Sequence, residues 1–129
     1  MSFRGYYPAM GNFHAPLMFA CRWQPNGSSA ASNPQGSRFS VARTGVGTFV
    51  ITMVDKYPLM VAAFGAVNAD TPVAVASKAV DVNVSSYNAT AKTVTVTLAD
   101  NTGTAVDVPS TGNAYVSVLL VFKNTGALN

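Results

Sequence analysis

The 129-residue chain has no glutamate, one cysteine, one histidine and one tryptophan, and only 10% of its residues are charged. None of its apolar runs reaches the ~18 to 20 residues a membrane-spanning helix needs, so no such helix is expected. Helical proteins lean on Glu, Lys, Leu, Arg and Gln, and these are scarce here. The lone Cys21 excludes an intramolecular disulfide and the disulfide-stapled class of small domain. One Cys and one His are too few ligands for a structural zinc.

What remains is rich in Val, Ala, Thr, Ser, Asn and Gly, and 49% hydrophobic. Val, Thr, Tyr and Phe fit pleated sheets, so the composition predicts an all-β domain. A mean hydropathy of +0.25 with so little charge is the reverse of a disordered chain. The net charge of +3 comes from eight cations scattered from Arg4 to Lys123. Nucleic-acid binders cluster theirs on one face or helix, so no nucleic-acid partner is expected.

Residues 1–18 are aromatic and broken by Gly5, Pro8, Gly11 and Pro16. This stretch lacks the apolar core of a secretory signal. Phe3, Tyr6, Tyr7, Phe13 and Phe19 follow neither a helical nor a strand period. They read as an arm whose aromatics contact a partner or neighbouring subunit, or pack on their own domain. Gln24–Ser37, QPNGSSAASNPQGS, reads as a low-complexity loop with too little apolar surface to offset its ordering entropy. The expected division is an arm and flexible loop over 1–37 and a β-sandwich domain over 38–129.

From Arg38 the pattern sharpens. Phe39 and Val41 alternate with polar or small residues; Gly45-Val46-Gly47 turns the chain; Phe49, Ile51 and Met53 then share one face. Val50 and Val54 make that second strand apolar on its other side, which predicts cover on both faces. LMVAAFGAV (59–67) is a short apolar run in which Gly65 marks a bulge, with a buried helical turn as the alternative. Val73 and Val75 lie on odd positions and Val80, Val82 and Val84 on even ones. That parity switch means two strands or a bulge. Thr93–Leu98 alternates cleanly, Asp100-Asn101-Thr102-Gly103 is a turn, and Val106 and Val108 belong to the return strand. In the last strand, about 114–123, Val116, Val118, Leu120 and Phe122 face one way and Tyr115, Leu119 and Val121 the other. A strand apolar on both sides belongs inside a covered sheet or at a subunit interface, so Tyr115, Leu119 and Val121 are candidate interface residues. The sum is about eight short strands in an antiparallel, jelly-roll-like β-sandwich.

The residues offer little chemistry. His14 and Cys21 lack the orienting neighbours of a nucleophile and base. The five aspartates lie at strand ends, in turns or singly on strands, where Asp normally shapes turns. No calcium loop and no phosphate-cradling glycine loop occurs, and no catalytic residue, metal or cofactor is assigned. Exposed aromatics can stack on sugars, and Trp23, at the mouth of the loop, is the candidate for that role.

The stretch FSVARTGVGTFVITMV (39–54) carries a further signal in Phe39, Val41, Arg43, Gly45, Gly47, Phe49, Ile51 and Thr52. It resembles hairpins of small β-sandwich proteins of tailed bacteriophages, which are similar to trimeric, tumour-necrosis-factor-like jelly rolls. The likeness extends over roughly 38–123, through the Asp-Asn-Thr-Gly turn and the last strand. It implies a non-enzymatic virion protein: a capsid decoration (cement) protein on the capsid surface, trimeric, with itself and the major capsid protein as partners and no membrane partner. The alternative it implies is a head- or tail-fibre module binding host glycans, with Trp23 as the contact.

Overall fold

A computed structural model describes residues 16–123. Nine strands form two antiparallel sheets packed as a sandwich, and no α-helix occurs among the described residues. The first sheet has the order β2-β1-β9-β5, built from β1 (Leu17–Asn26), β2 (Ser29–Gln35), β5 (Met60–Asn68) and β9 (Tyr115–Phe122). The second has the order β3-β4-β8-β7-β6, built from β3 (Phe39–Gly45), β4 (Thr48–Met53), β6 (Ala74–Val75), β7 (Lys78–Val84) and β8 (Thr93–Asp100). Long-range pairs are nested: β1 with β9 in one sheet, β4 with β8 in the other. This is the return pairing of a Greek-key sandwich.

Alternation decides what lies between the sheets. Phe49, Ile51 and Met53 of β4 and Val94, Val96 and Leu98 of β8 point inward from one side. Cys21 and Trp23 of β1 and Val116, Val118, Leu120 and Phe122 of β9 meet them from the other. Each such side chain, taken fully out of water, contributes roughly 1.5–3 kcal/mol, so this shared layer is the main source of stability.

From Leu17 onward the described chain is already part of the sandwich. Leu17–Gln35 supplies two of its strands, with β1 in the interior of its sheet. The stretch expected to be a flexible loop is a hairpin turned at Gly27-Ser28, with Gly27 at φ 58°. Its register shifts twice. β4 departs from expectation too. Its inner face is buried, but on its outer side Val50 sits half-buried among Thr48, Thr52 and the β8 threonines, and Val54 is exposed. The parity switch resolves into β6 and β7, joined at Ala76-Ser77 with φ of 51° and 64°. Val106 and Val108 lie on an irregular return: Val106 N–H donates to Leu98 C=O at 3.0 Å, and Val108 is buried without a full strand.

The 59–67 run is a strand, with its bulge at Val61 rather than at Gly65. Gly65 has a different task. A Cβ built there would lie 2.5 Å from Val82 Cγ1, on β7 of the opposite sheet. The absence of a side chain at Gly65 leaves room for Val82 to pack against β5. Gly65→Ala should therefore destabilise by about 1–3 kcal/mol through overpacking. Val82→Ala placed on top of it should recover part of that loss, a coupling of about 0.5–3 kcal/mol. Urea melts of the four-member cycle measure it, and strictly additive effects would contradict the close approach.

Asp100 organises the β8 turn. Its carboxylate accepts from the Thr102 hydroxyl at 2.6 Å, from Thr102 N–H at 2.9 Å and from Thr104 N–H at 3.1 Å. The Thr102 hydroxyl bond is the largest influence holding its pKa below the usual carboxylate value; burial opposes it, and the two amides and Lys78 add to the lowering. The charged form is thus favoured by folding. Its stabilisation is complete above the unfolded value, about 3.9, and is lost as pH falls through the lower folded value. Asp100→Ala should lower the urea midpoint at pH 7, and the gap from the parent should narrow steadily below about pH 4.

Candidate self-association surface

The outward faces of the two sheets differ in kind. In the first sheet, register aligns three strands in rows. Met18, Val121 and Ala62 form one row; Ala20, Leu119 and Phe64 the next; Arg22, Ser117 and Ala66 the third. The first two rows are entirely apolar. Met18 is 67% exposed and Phe64 is 63% exposed, with Leu119 and Val121 half-buried between them. The second sheet turns outward Ser40 and Ala42, Thr48, Val50 and Thr52, then Thr93, Thr95 and Thr97, and Asp81 and Asn83. That is a hydroxyl-rich surface suited to water.

Below Phe64 the first sheet dips. A groove of about 350 Å³ is lined by small residues including Ala20, Gly65, Ala66 and Ser117 and flanked by Phe64, Leu119 and Arg22. At the far side the face becomes polar. The Arg22 guanidinium lies 3.8 Å from the centroid of the Tyr115 ring and donates to Gln35 Oε1 at 3.2 Å. A cation over an aromatic face contributes roughly 0.5–1 kcal/mol at an exposed site.

The edge beside this face carries few of the usual protections among the described residues. An exposed edge strand invites pairing with another chain, and proteins blunt it with charge, proline, bulges or brevity. β2 carries Pro34 and two register shifts, β3 carries Arg43 and a bulge, and β6 is two residues long. β5, MVAAFGAVN, runs nine residues with neither charge nor proline, and only its bulge at Val61 interrupts it.

The sequence-derived candidates fall out as follows. β9 brings Tyr115, Leu119 and Val121 to one outward face, but only Leu119 and Val121 lie in the apolar rows, since Arg22 covers Tyr115. Phe3, Tyr6, Tyr7, Phe13 and His14 lie outside the described residues. Phe19 belongs to β1 rather than to an arm. It packs in an aromatic cluster with Tyr57 (centroids 5.2 Å apart) and Phe122 (5.8 Å), joined by Tyr87, whose hydroxyl accepts from Tyr57 N–H at 3.1 Å. Trp23 is 0% exposed and packs on Phe49 at 5.5 Å, so it has no free face for a sugar. Alternation already placed Phe19, Cys21 and Trp23 on one side of a strand. Met18 and Phe64, the most exposed apolar residues of the face, were not singled out by sequence. Their signal was the opposite parity in the same two runs.

Catalytic groups do not converge among the described residues. Burial pushes the Cys21 thiol up to about 12, which keeps it protonated and unreactive. Asp55 pairs with Arg38 Nε at 2.7 Å, and Asp107 is gripped by Arg43 Nη2 at 3.0 Å to each oxygen. No group of three or more metal-ligating side chains occurs among the described residues. Comparisons with protein-family models, with curated proteins and with solved structures find no match to this chain.

Proposed function

We propose that this protein is a non-enzymatic virion component, a decoration protein that stabilises a bacteriophage head as a homotrimer on the capsid surface. The contrast between the two outer sheet faces carries the reading. One is clothed in threonine; the other exposes Met18, Ala20, Ala62, Phe64, Leu119 and Val121 beside an edge strand with few of the usual protections. Contiguous exposed apolar surface of this kind marks contact sites. A closed cyclic assembly hides both the face and the edge, and a ring of three does so through one repeated contact. The resemblance of 38–123 to small phage sandwiches points the same way. The major capsid protein is the second partner. A protein that binds the assembled lattice better than free capsid protein stabilises the shell by mass action.

Light scattering coupled to size exclusion tests the assembly. The expected mass is three times the 13.4 kDa of the chain. A monomer at micromolar concentration would sink the proposal. Electron microscopy of particles should then place the protein on the head surface, and its addition to bare capsids should raise their melting temperature.

A further inference from the structure

The polar end of the first sheet's outer face runs into a set of recesses beyond the two apolar rows. Arg22, Asn68, Asp70, Asn113 and Tyr115 line one of about 210 Å³. A second, of about 360 Å³, lies along residues 67–73, and a third, of about 200 Å³, lies between Thr71–Ala74 and Val108–Ala114. Ala69 borders all three. The loops that form them are fastened together, with Asp70 N–H donating to Gly112 C=O at 2.8 Å.

Three features single out this end. The side chains of Asn68, Asp70 and Asn113 form no hydrogen bond with the rest of the described chain, although they face one recess. Their donors and acceptors are free for a ligand. Gly112 and Asn113 both adopt left-handed backbone, at φ 65° and 58°. For Asn113 that conformation is tolerated rather than preferred, and such residues gather at binding sites. Finally, Arg22 is held in place, stacked on Tyr115 and bonded to Gln35, so its remaining N–H groups are presented with little entropy left to lose.

We propose that this end of the sandwich binds a neutral saccharide, one or two sugar units in size. A sugar hydroxyl both donates and accepts. A carboxylate takes two hydroxyl protons; a carboxamide gives N–H and takes O–H; a guanidinium donates to ring or hydroxyl oxygens. Asp70, Asn68, Asn113 and Arg22 supply that combination. The charges of Asp70 and Arg22 offset each other, which favours an uncharged polyol over an ionised ligand. A calcium ion, which takes six to eight oxygens, is poorly served by one carboxylate beside a guanidinium. The site shares only Arg22 with the groove beside the apolar rows, and the variants that test it, at Asp70 and Asn113, lie outside that groove, so its failure and that of the trimer proposal are read separately.

The test is NMR titration of the whole protein, in buffer with a chelator, against methyl glycosides of glucose, galactose, mannose and N-acetylglucosamine at millimolar concentration. At least one should shift amides within 68–73 and 110–115. Asp70→Ala should weaken it tenfold or more. Asn113→Gly, which suits the left-handed backbone and removes only the carboxamide, should weaken it too while leaving the melting temperature at or above the parent's. Arg38→Ala, at the opposite end, should change nothing. The proposal is overturned if no glycoside shifts these amides, if both site variants bind like the parent, or if the response follows added calcium rather than sugar.

Discussion

Phe64→Asp combined with Leu119→Asp is expected to convert the proposed trimer into a soluble monomer that still folds. The two positions are register partners on the outer face, so neither contributes its side chain to the layer between the sheets. Melting temperature and circular dichroism should therefore stay close to the parent's. Association loses twice. The burial of a Phe and a Leu, roughly 1.5–3 kcal/mol each, disappears. Two carboxylates then have to be desolvated at the contact without partners, which costs more than an apolar truncation. With 1.4 kcal/mol per tenfold change, association should weaken by more than about a hundredfold. Sedimentation across a concentration series reads this directly. Thr95→Asp, on the hydroxyl-rich face of the other sheet, is the matched control and should remain trimeric. A double variant that sediments like the parent would mean that the contact lies elsewhere.

The parts of the fold that announced themselves in sequence share one property: their neighbours in the chain are also their neighbours in the sheet, or their faces differ sharply in polarity. Phe39–Met53 is a hairpin with a glycine turn, and Thr93–Leu98 alternates residue by residue. Both follow from local chemistry. The β1–β2 hairpin was obscured because Ser, Asn and Gln lack strand propensity. Its edge strand is held by backbone pairing to β1 instead. The Gly27-Ser28 pair, a two-residue hairpin signal, was nonetheless in view. The candidate surface was half legible. Parity gave Leu119 and Val121 on β9, but the exposure of Met18 and Phe64 depends on β1 and β5 flanking that strand. Met18 pairs with Val121, about 103 positions away, and Phe64 with Leu119, about 55 away. Trp23 shows the reverse error. Its place beside a polar loop suggested exposure, whereas its parity with Cys21 consigned it to the core.

Gly47→Ala is expected to be severely destabilising for a change of one methyl group. Gly47 sits at φ 57°, where any other residue carries a penalty of about 1–2 kcal/mol. That alone would make it no worse than alanine at Gly27 or Gly103, which have left-handed backbone but open space around them. At Gly47 the added Cβ would meet Val106 C=O at 2.4 Å and Leu98 C=O at 2.7 Å. Both are main-chain atoms, so no rotamer change relieves the contact. Retreat of the turn would cost further bonds. Gly47 N–H donates to Asp107 Oδ1 at 2.9 Å, Leu98 N–H donates to Gly47 C=O at 2.7 Å, and Arg43 grips the same Asp107. The β3–β4 turn is thereby locked to the end of β8 and to the irregular return beyond it. A loss of about 3–5 kcal/mol follows from strain, clash and broken partners together, a large share of the 5–15 kcal/mol typical of a domain. Gly103→Ala, free of the clash, should lose only about 1–2 kcal/mol. Urea midpoints of the two variants separate the causes. Equal losses would mean that backbone conformation alone fixes these glycines, and that the Asp107 clamp holds the turn less closely than its hydrogen bonds indicate.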